Sequence, residues 1–102
     1  MALPERETTL TPPDLAALLA SGAGWARDGE TLTKVFRCKD WGHAIAFVQR
    51  IGAAAEELDH HPDVHLERYR NVRVVTTTFA TGKLSDADVG LARRIDELAD
   101  LR

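Results

Sequence analysis

Between Asp40 and Pro62, apolar residues recur at helical spacing over about five turns: Trp41, Ala44, Ile45, Val48, Ile51, Ala55 and Leu58. Side chains three or four apart share one face of an α-helix, so the stretch predicts a long helix with one apolar stripe, capped by Asp40 and ended before Pro62. Such a stripe must be covered, and the flanking sequence supplies strands to cover it. Before the helix, Trp25 to Arg27, the turn Asp28-Gly29 and the alternation Leu32, Lys34, Phe36 with Val35 between predict a β-hairpin. After it, Val64-His65-Leu66-Glu67-Arg68-Tyr69 alternates with period two and Arg70-Asn71 interrupts. The next run, Val72-Arg73-Val74-Val75-Thr76-Thr77-Thr78-Phe79, is dense in β-branched residues, which favour strand over helix.

Two shorter helices complete the pattern. Thr11-Pro12-Pro13-Asp14 reads as an N-cap with prolines in the first turn, followed by Leu15, Leu18 and Leu19 as a stripe that stops at Ser21-Gly22. Thr81-Gly82-Lys83-Leu84 reads as a loop and Ser85 as an N-cap with Asp86 and Asp88 in the positive first turn; Val89, Ala92, Ile95, Leu98 and Ala99 then form the buried stripe. The expected fold is α+β in the order α-β-β-α-β-β-α, a four-stranded antiparallel sheet with helices packed on one face. Residues 1–10 are expected to be a flexible arm and 11–102 a single domain, since no repeat or linker divides them.

Charge and cysteine content narrow the function classes. Thirteen Lys and Arg against sixteen Asp and Glu leave a net charge of −3, with no excess of positive charge to hold nucleic acid or an anionic membrane. Leu15 to Ala20, the longest apolar run, has six residues, against about 20 for a membrane span. Glu5-Arg6-Glu7 before it lacks the positive bias of a secretory leader, and the one cysteine, Cys38, has no partner for an internal disulfide. A cytoplasmic protein is expected, with no direct nucleic-acid or membrane contact. A core this small favours oligomerisation.

Polar chemistry concentrates in Glu56-Glu57-Leu58-Asp59-His60-His61-Pro62-Asp63-Val64-His65, which holds three of the four histidines. A solvated, proline-terminated helix end would have such a composition, with histidine favoured by the helix dipole. His60, His61, Asp63 and His65 are also metal-ligand types, but adjacent side chains such as His60 and His61 diverge, and His61 and His65 straddle a proline that starts a strand, so neither pair has the helical i, i+4 geometry that shares a metal and none is expected. Cys38 has no neighbouring base and reads as a small packing residue, and His43 lies off the helix stripe. General acid–base chemistry suits paired imidazoles among carboxylates, because histidine exchanges a proton near neutral pH.

These residues also carry a family likeness. Glu56-x-x-x-His60-His61-Pro62, then Tyr69, Val72-x-Val74, Gly82-x-Leu84-Ser85-x-x-Asp88 and Leu91-Ala92 resemble the pterin-4a-carbinolamine dehydratase family. The likeness extends upstream through Trp25, Phe36, Trp41, Ala46-Phe47 and Ala53-Ala54. It implies dehydration of a 4a-hydroxytetrahydropterin to the quinonoid dihydropterin, as in tetrahydrobiopterin recycling, with no metal or redox cofactor and with assembly as a homodimer or homotetramer. It assigns His60 as general acid and His61 as a contact to the pterin ring. Asp59, Thr77, Thr78 and Phe79 would line the pocket, and Glu56, Pro62 and Asp88 would support it. Phe79 stands where the family usually has a third histidine, sometimes tryptophan, and a phenyl ring transfers no proton. The likeness therefore also implies an alternative, because some relatives are non-catalytic: a partner of a homeodomain transcription factor, and Rubisco assembly factors.

Overall fold

The computed structural model describes residues 12–99 and 102, and the order of its elements is the expected one. They are α1 (Pro12–Ala20), β1 (Ala26–Asp28), β2 (Thr31–Arg37), α2 (Trp41–Leu58), β3 (Asp63–Glu67), β4 (Asn71–Thr76) and α3 (Asp86–Leu98). The expected arm, residues 1–10, and the Thr11 cap lie outside the described residues. The four strands form one antiparallel sheet in the order β1-β2-β4-β3. Central β2 and β4 join the two hairpins, in register from Leu32 opposite Thr76 to Arg37 opposite Asn71.

Alternation along the strands decides which face is covered. Leu32 and Phe36 on β2 and Val72, Val74 and Thr76 on β4 are buried, while Val35 and Arg37 are exposed and Arg73 and Val75 are half-buried. The helices supply Leu15 and Leu18 from α1, Ala44, Phe47 and Ile51 from α2, and Val89, Leu91, Ala92 and Ile95 from α3 to one core cluster. At its centre Trp25, Phe36 and Phe47 pack edge to face, with ring centroids 6.0 and 5.1 Å apart. Burying a ring such as that of Phe47 stabilises the fold by roughly 1.5–3 kcal/mol.

Several local expectations shift. The buried face of α2 is Ala44, Phe47, Ile51, Ala54 and Ala55, whereas Trp41 and Ile45 of the expected stripe face outward. The helix is turned so that Phe47 reaches Phe36, leaving the bulkier indole at the rim. The first turn is Gly29-Glu30, one residue later than expected, because Gly29 takes the left-handed position (φ 59°) and Asp28 pairs with Thr31. Trp25 precedes the strand, and its indole N–H donates to Asp96 Oδ2 at 3.0 Å. In the second hairpin β3 ends at Glu67, because Arg68 and Tyr69 are left-handed (φ 49° and 57°) and form the turn with Arg70. Strand β4 ends at Thr76, and a single bridge from Thr78 to Lys83 carries the chain through the turn that holds Phe79.

Candidate active site

The end of α2 determines which histidine turns inward. Asp59 is left-handed (φ 50°, ψ 44°); its N–H donates to Glu56 O at 3.3 Å, and that of His60 donates to Ala55 O at 3.0 Å. These are the two bonds of a Schellman motif, which closes the helix and reverses the chain. His60 is thereby buried and His61 exposed.

His60 meets α3 at its first turn. Ser85 caps that helix and forms a capping box with Asp88, whose side chain is fully buried. Asp88 Oδ1 accepts from His60 Nε2 at 2.7 Å and from Thr76 Oγ1 at 2.6 Å; Oδ2 accepts from Thr78 Oγ1 at 2.8 Å and from Ser85 N at 3.0 Å. With its hydroxyl proton on Asp88, Thr78 accepts from Ser85 Oγ at 2.6 Å. Burial pushes the Asp88 carboxyl up, but bonds from His60, Thr76, Thr78 and Ser85 together outweigh it and hold the group below its ordinary value. An ionised Asp88 only accepts, so His60 carries its hydrogen on Nε2. The other ring nitrogen, Nδ1, has no partner among the described residues, and no buried side-chain nitrogen or oxygen there lacks one, so Nδ1 reaches solvent.

Beside His60 lies a cleft of about 150 Å³ lined by Asp59, His60, His61, Thr78, Phe79 and Ala80. Five of the six residues expected at the pocket are thus brought together. The sixth, Thr77, is half-buried in alternation with Thr76 and Thr78, in step with Arg73 and Val75, and does not line the cleft. His61 Nε2 and Glu56 Oε1 are 2.6 Å apart with both side chains exposed, an arrangement that aims the ring more than it stabilises the fold. Phe79 is 72% exposed, an apolar plate at the cleft edge. Pro62 is half-buried just before β3. A larger hollow of about 500 Å³ runs along Asp40, Gly42, His43, Ala46 and Arg50, but the His43 and Asp40 side chains that meet there are each about half exposed. Among the described residues no three His, Cys, Asp or Glu side chains converge as metal ligands.

Sequence reasoning missed Thr76 and Ala80. Asp88 is placed as a supporting residue by the family likeness; its spacing from Ser85 as a capping box is the further signal that the carboxylate bends back over the start of the helix. For Thr76 the signal was alternation, which puts it on the inner face with Val72 and Val74.

The family model for pterin 4 alpha carbinolamine dehydratase matches residues 8–98. A protein of Thermomicrobium roseum is 40% identical over 83% of this chain and 90% of its own length; one of Nocardia farcinica is 37% identical over 88% and 94%. Both carry the provisional name pterin-4-alpha-carbinolamine dehydratase. Among solved structures, a transcriptional coactivator/pterin dehydratase from Brucella melitensis superposes with a TM-score of 0.78 at 29% identity, covering 89% of this chain and 98% of that one. A pterin dehydratase-like Rubisco assembly factor of the alpha-carboxysome superposes with a TM-score of 0.63 at 28% identity, covering 74% and 89%.

Proposed function

Because the chain belongs to the pterin 4 alpha carbinolamine dehydratase family, we propose that it dehydrates a 4a-hydroxytetrahydropterin by general acid–base catalysis, with residues 11–102 acting as one domain. The observation that carries this reading is the buried His60–Asp88 pair opening on a cleft beside Phe79. With His60 protonated on both nitrogens, Asp88 holds the Nε2 proton and Nδ1–H is the one available to the substrate. The C4a–O bond breaks as that proton moves to the departing oxygen, which leaves as water, and the neighbouring ring N–H releases its proton by way of solvent to the now neutral His60, which gives the quinonoid dihydropterin and restores the acid. Hydroxide is a poor leaving group, so protonation in the transition state lowers the barrier; a positioned acid of this kind contributes about 10²–10⁴ in rate. No step calls for a metal or redox cofactor.

The neighbouring groups are assigned accordingly. His61, aimed by Glu56, contacts the pterin ring; Asp59 and Thr78 line its edge; Phe79 packs against the flat heterocycle, worth about 0.5–1.5 kcal/mol beyond burial. Pro62 supports the pair by starting the chain's return toward β3. We assign the protein to the cytoplasm, a reading supported by its single cysteine, Cys38, which is buried. Among the described residues no helix is long and apolar enough to cross a membrane.

The test is the decay of 4a-hydroxytetrahydropterin with and without the purified protein. Acceleration above the spontaneous rate, lost in His60→Ala, supports the reading. Phe79 favours a second one, a non-catalytic assembly or regulatory role, of the kind that the name of the similar Rubisco assembly factor gives for that protein. Absence of acceleration by the parent and by Phe79→His would move the assignment there.

A further inference from the structure

Thr76 is set apart from its neighbours on the inner face of β4. Val72 and Val74 on that face are fully buried and apolar; Thr76 continues the row at 1% exposure and carries a hydroxyl. A valine there would fill the same space, and a buried hydroxyl without a partner is destabilising. The side-chain hydrogen bond of Thr76 goes to Asp88 Oδ1 at 2.6 Å, the oxygen that takes the His60 N–H at 2.7 Å. Thr76 is absent from the cleft lining, so any influence on a bound molecule passes through Asp88 and His60.

We propose that Thr76 is a positioning residue that divides Asp88 Oδ1 with His60 and so limits how tightly the carboxylate holds the imidazole. Two donors on one oxygen each receive less of its charge than a single donor would. With Thr78 two residues along on the other oxygen, the pair also fixes the plane of the carboxylate, and with it the orientation of the imidazole that it holds. Without the Thr76 hydroxyl, Oδ1 belongs to His60 alone, the Nε2–H bond tightens, and proton transfer from the ring to the departing oxygen slows. The catalytic consequence rests on His60 being the proton donor; the hydrogen-bond consequence does not.

The test uses Thr76→Val, which keeps the shape and removes the hydroxyl, and Thr76→Ser, which keeps the hydroxyl. Proton NMR of the full chain reads the His60 Nε2–H resonance, and turnover of 4a-hydroxytetrahydropterin is measured alongside. The expected result for Thr76→Val is a downfield move of the resonance and a fall in kcat of about tenfold with KM unchanged, the order of magnitude of one hydrogen bond to a charged group. Thr76→Ser should return both toward the parent. In the parent, the Thr76 hydroxyl proton should be shielded from exchange with water, a reading that needs no variant.

A parental resonance in Thr76→Val, or a rapidly exchanging Thr76 hydroxyl, overturns the proposal. So does a fall in kcat with the resonance unmoved, which would make Thr76 merely structural. Should the parent turn over no pterin, the dehydratase reading fails by itself, and the resonance and exchange measurements still support or overturn the shared oxygen.

Discussion

Asp88 takes four hydrogen bonds on a side chain with no exposed surface, and its replacement tests whether that network orders the site. In Asp88→Asn an amide nitrogen must face at least one of the present donors, so urea unfolding should show a loss of about 2–4 kcal/mol and the remaining folded protein a loss of turnover. The sign of the pH dependence follows from the lowered Asp88 value. Its contribution is fully present above the ordinary carboxyl value of 3.8 and is lost as pH falls through the lower folded one. Unfolding measured from neutral pH down to about pH 2 should therefore show stability falling on the acid side below that ordinary value, less steeply in Asp88→Asn. A second residue-scale prediction concerns Phe79. If one face of the substrate lacks its proton donor, the two 4a-hydroxy stereoisomers should react at unequal rates, and Phe79→His should raise the slower one. Equal rates in the parent would show that no second donor is needed. At this scale sequence legibility was uneven: the His60-His61 pair and Asp88 stand out by type and spacing, but Thr76 does not. Alternation predicts that a strand residue is buried and is silent about which carboxylate its hydroxyl meets across 12 positions of chain.

The elements show why the site lies where it does. Strand β4 brings Thr76 and Thr78 to the carboxylate, α3 supplies its cap, and the left-handed Asp59 at the end of α2 turns His60 toward both. Ser85 serves the helix cap and Thr78 together, so Ser85→Ala should lower stability by about 1–2 kcal/mol in thermal unfolding, toward the upper end for an N-cap because Thr78 also loses a donor. Arg68, left-handed and exposed in the β3–β4 turn, should behave in the opposite way. Arg68→Gly relieves a backbone penalty and should be neutral or stabilise by up to about 1 kcal/mol in the same measurement. The limits of α2 were legible because Asp40 and the apolar period define them. The face it buries was not, since Trp41 and Phe47 both suit an apolar stripe and only packing against Phe36 selects between them. The hairpin turns shifted for a related reason: residues such as Arg68 and Tyr69 carry no propensity for the left-handed conformation they adopt.

For the molecule as a whole, the single chain leaves Val35, Trp41 and Tyr69 more than half exposed and ends its sheet in the short edge strands β1 and β3. We propose a symmetric homo-oligomer that covers part of this surface, as the family likeness implies. Val72 and Val74 are fully buried in central β4, which leaves the sheet edges and the outer side of α2 as the candidate surface. Light scattering at micromolar concentration should give a multiple of the 11.2 kDa chain mass, and a monomer mass would contradict the proposal. The most direct test of the central claim, that His60 held by Asp88 is the proton donor, is the dehydration rate of 4a-hydroxytetrahydropterin measured side by side for the parent, His60→Ala and His61→Ala. The account predicts acceleration by the parent, a fall of about 10²–10⁴ in kcat for His60→Ala with the fold retained, and a raised KM as the main effect of His61→Ala. A His60→Ala protein that turns over the pterin as fast as the parent would contradict it.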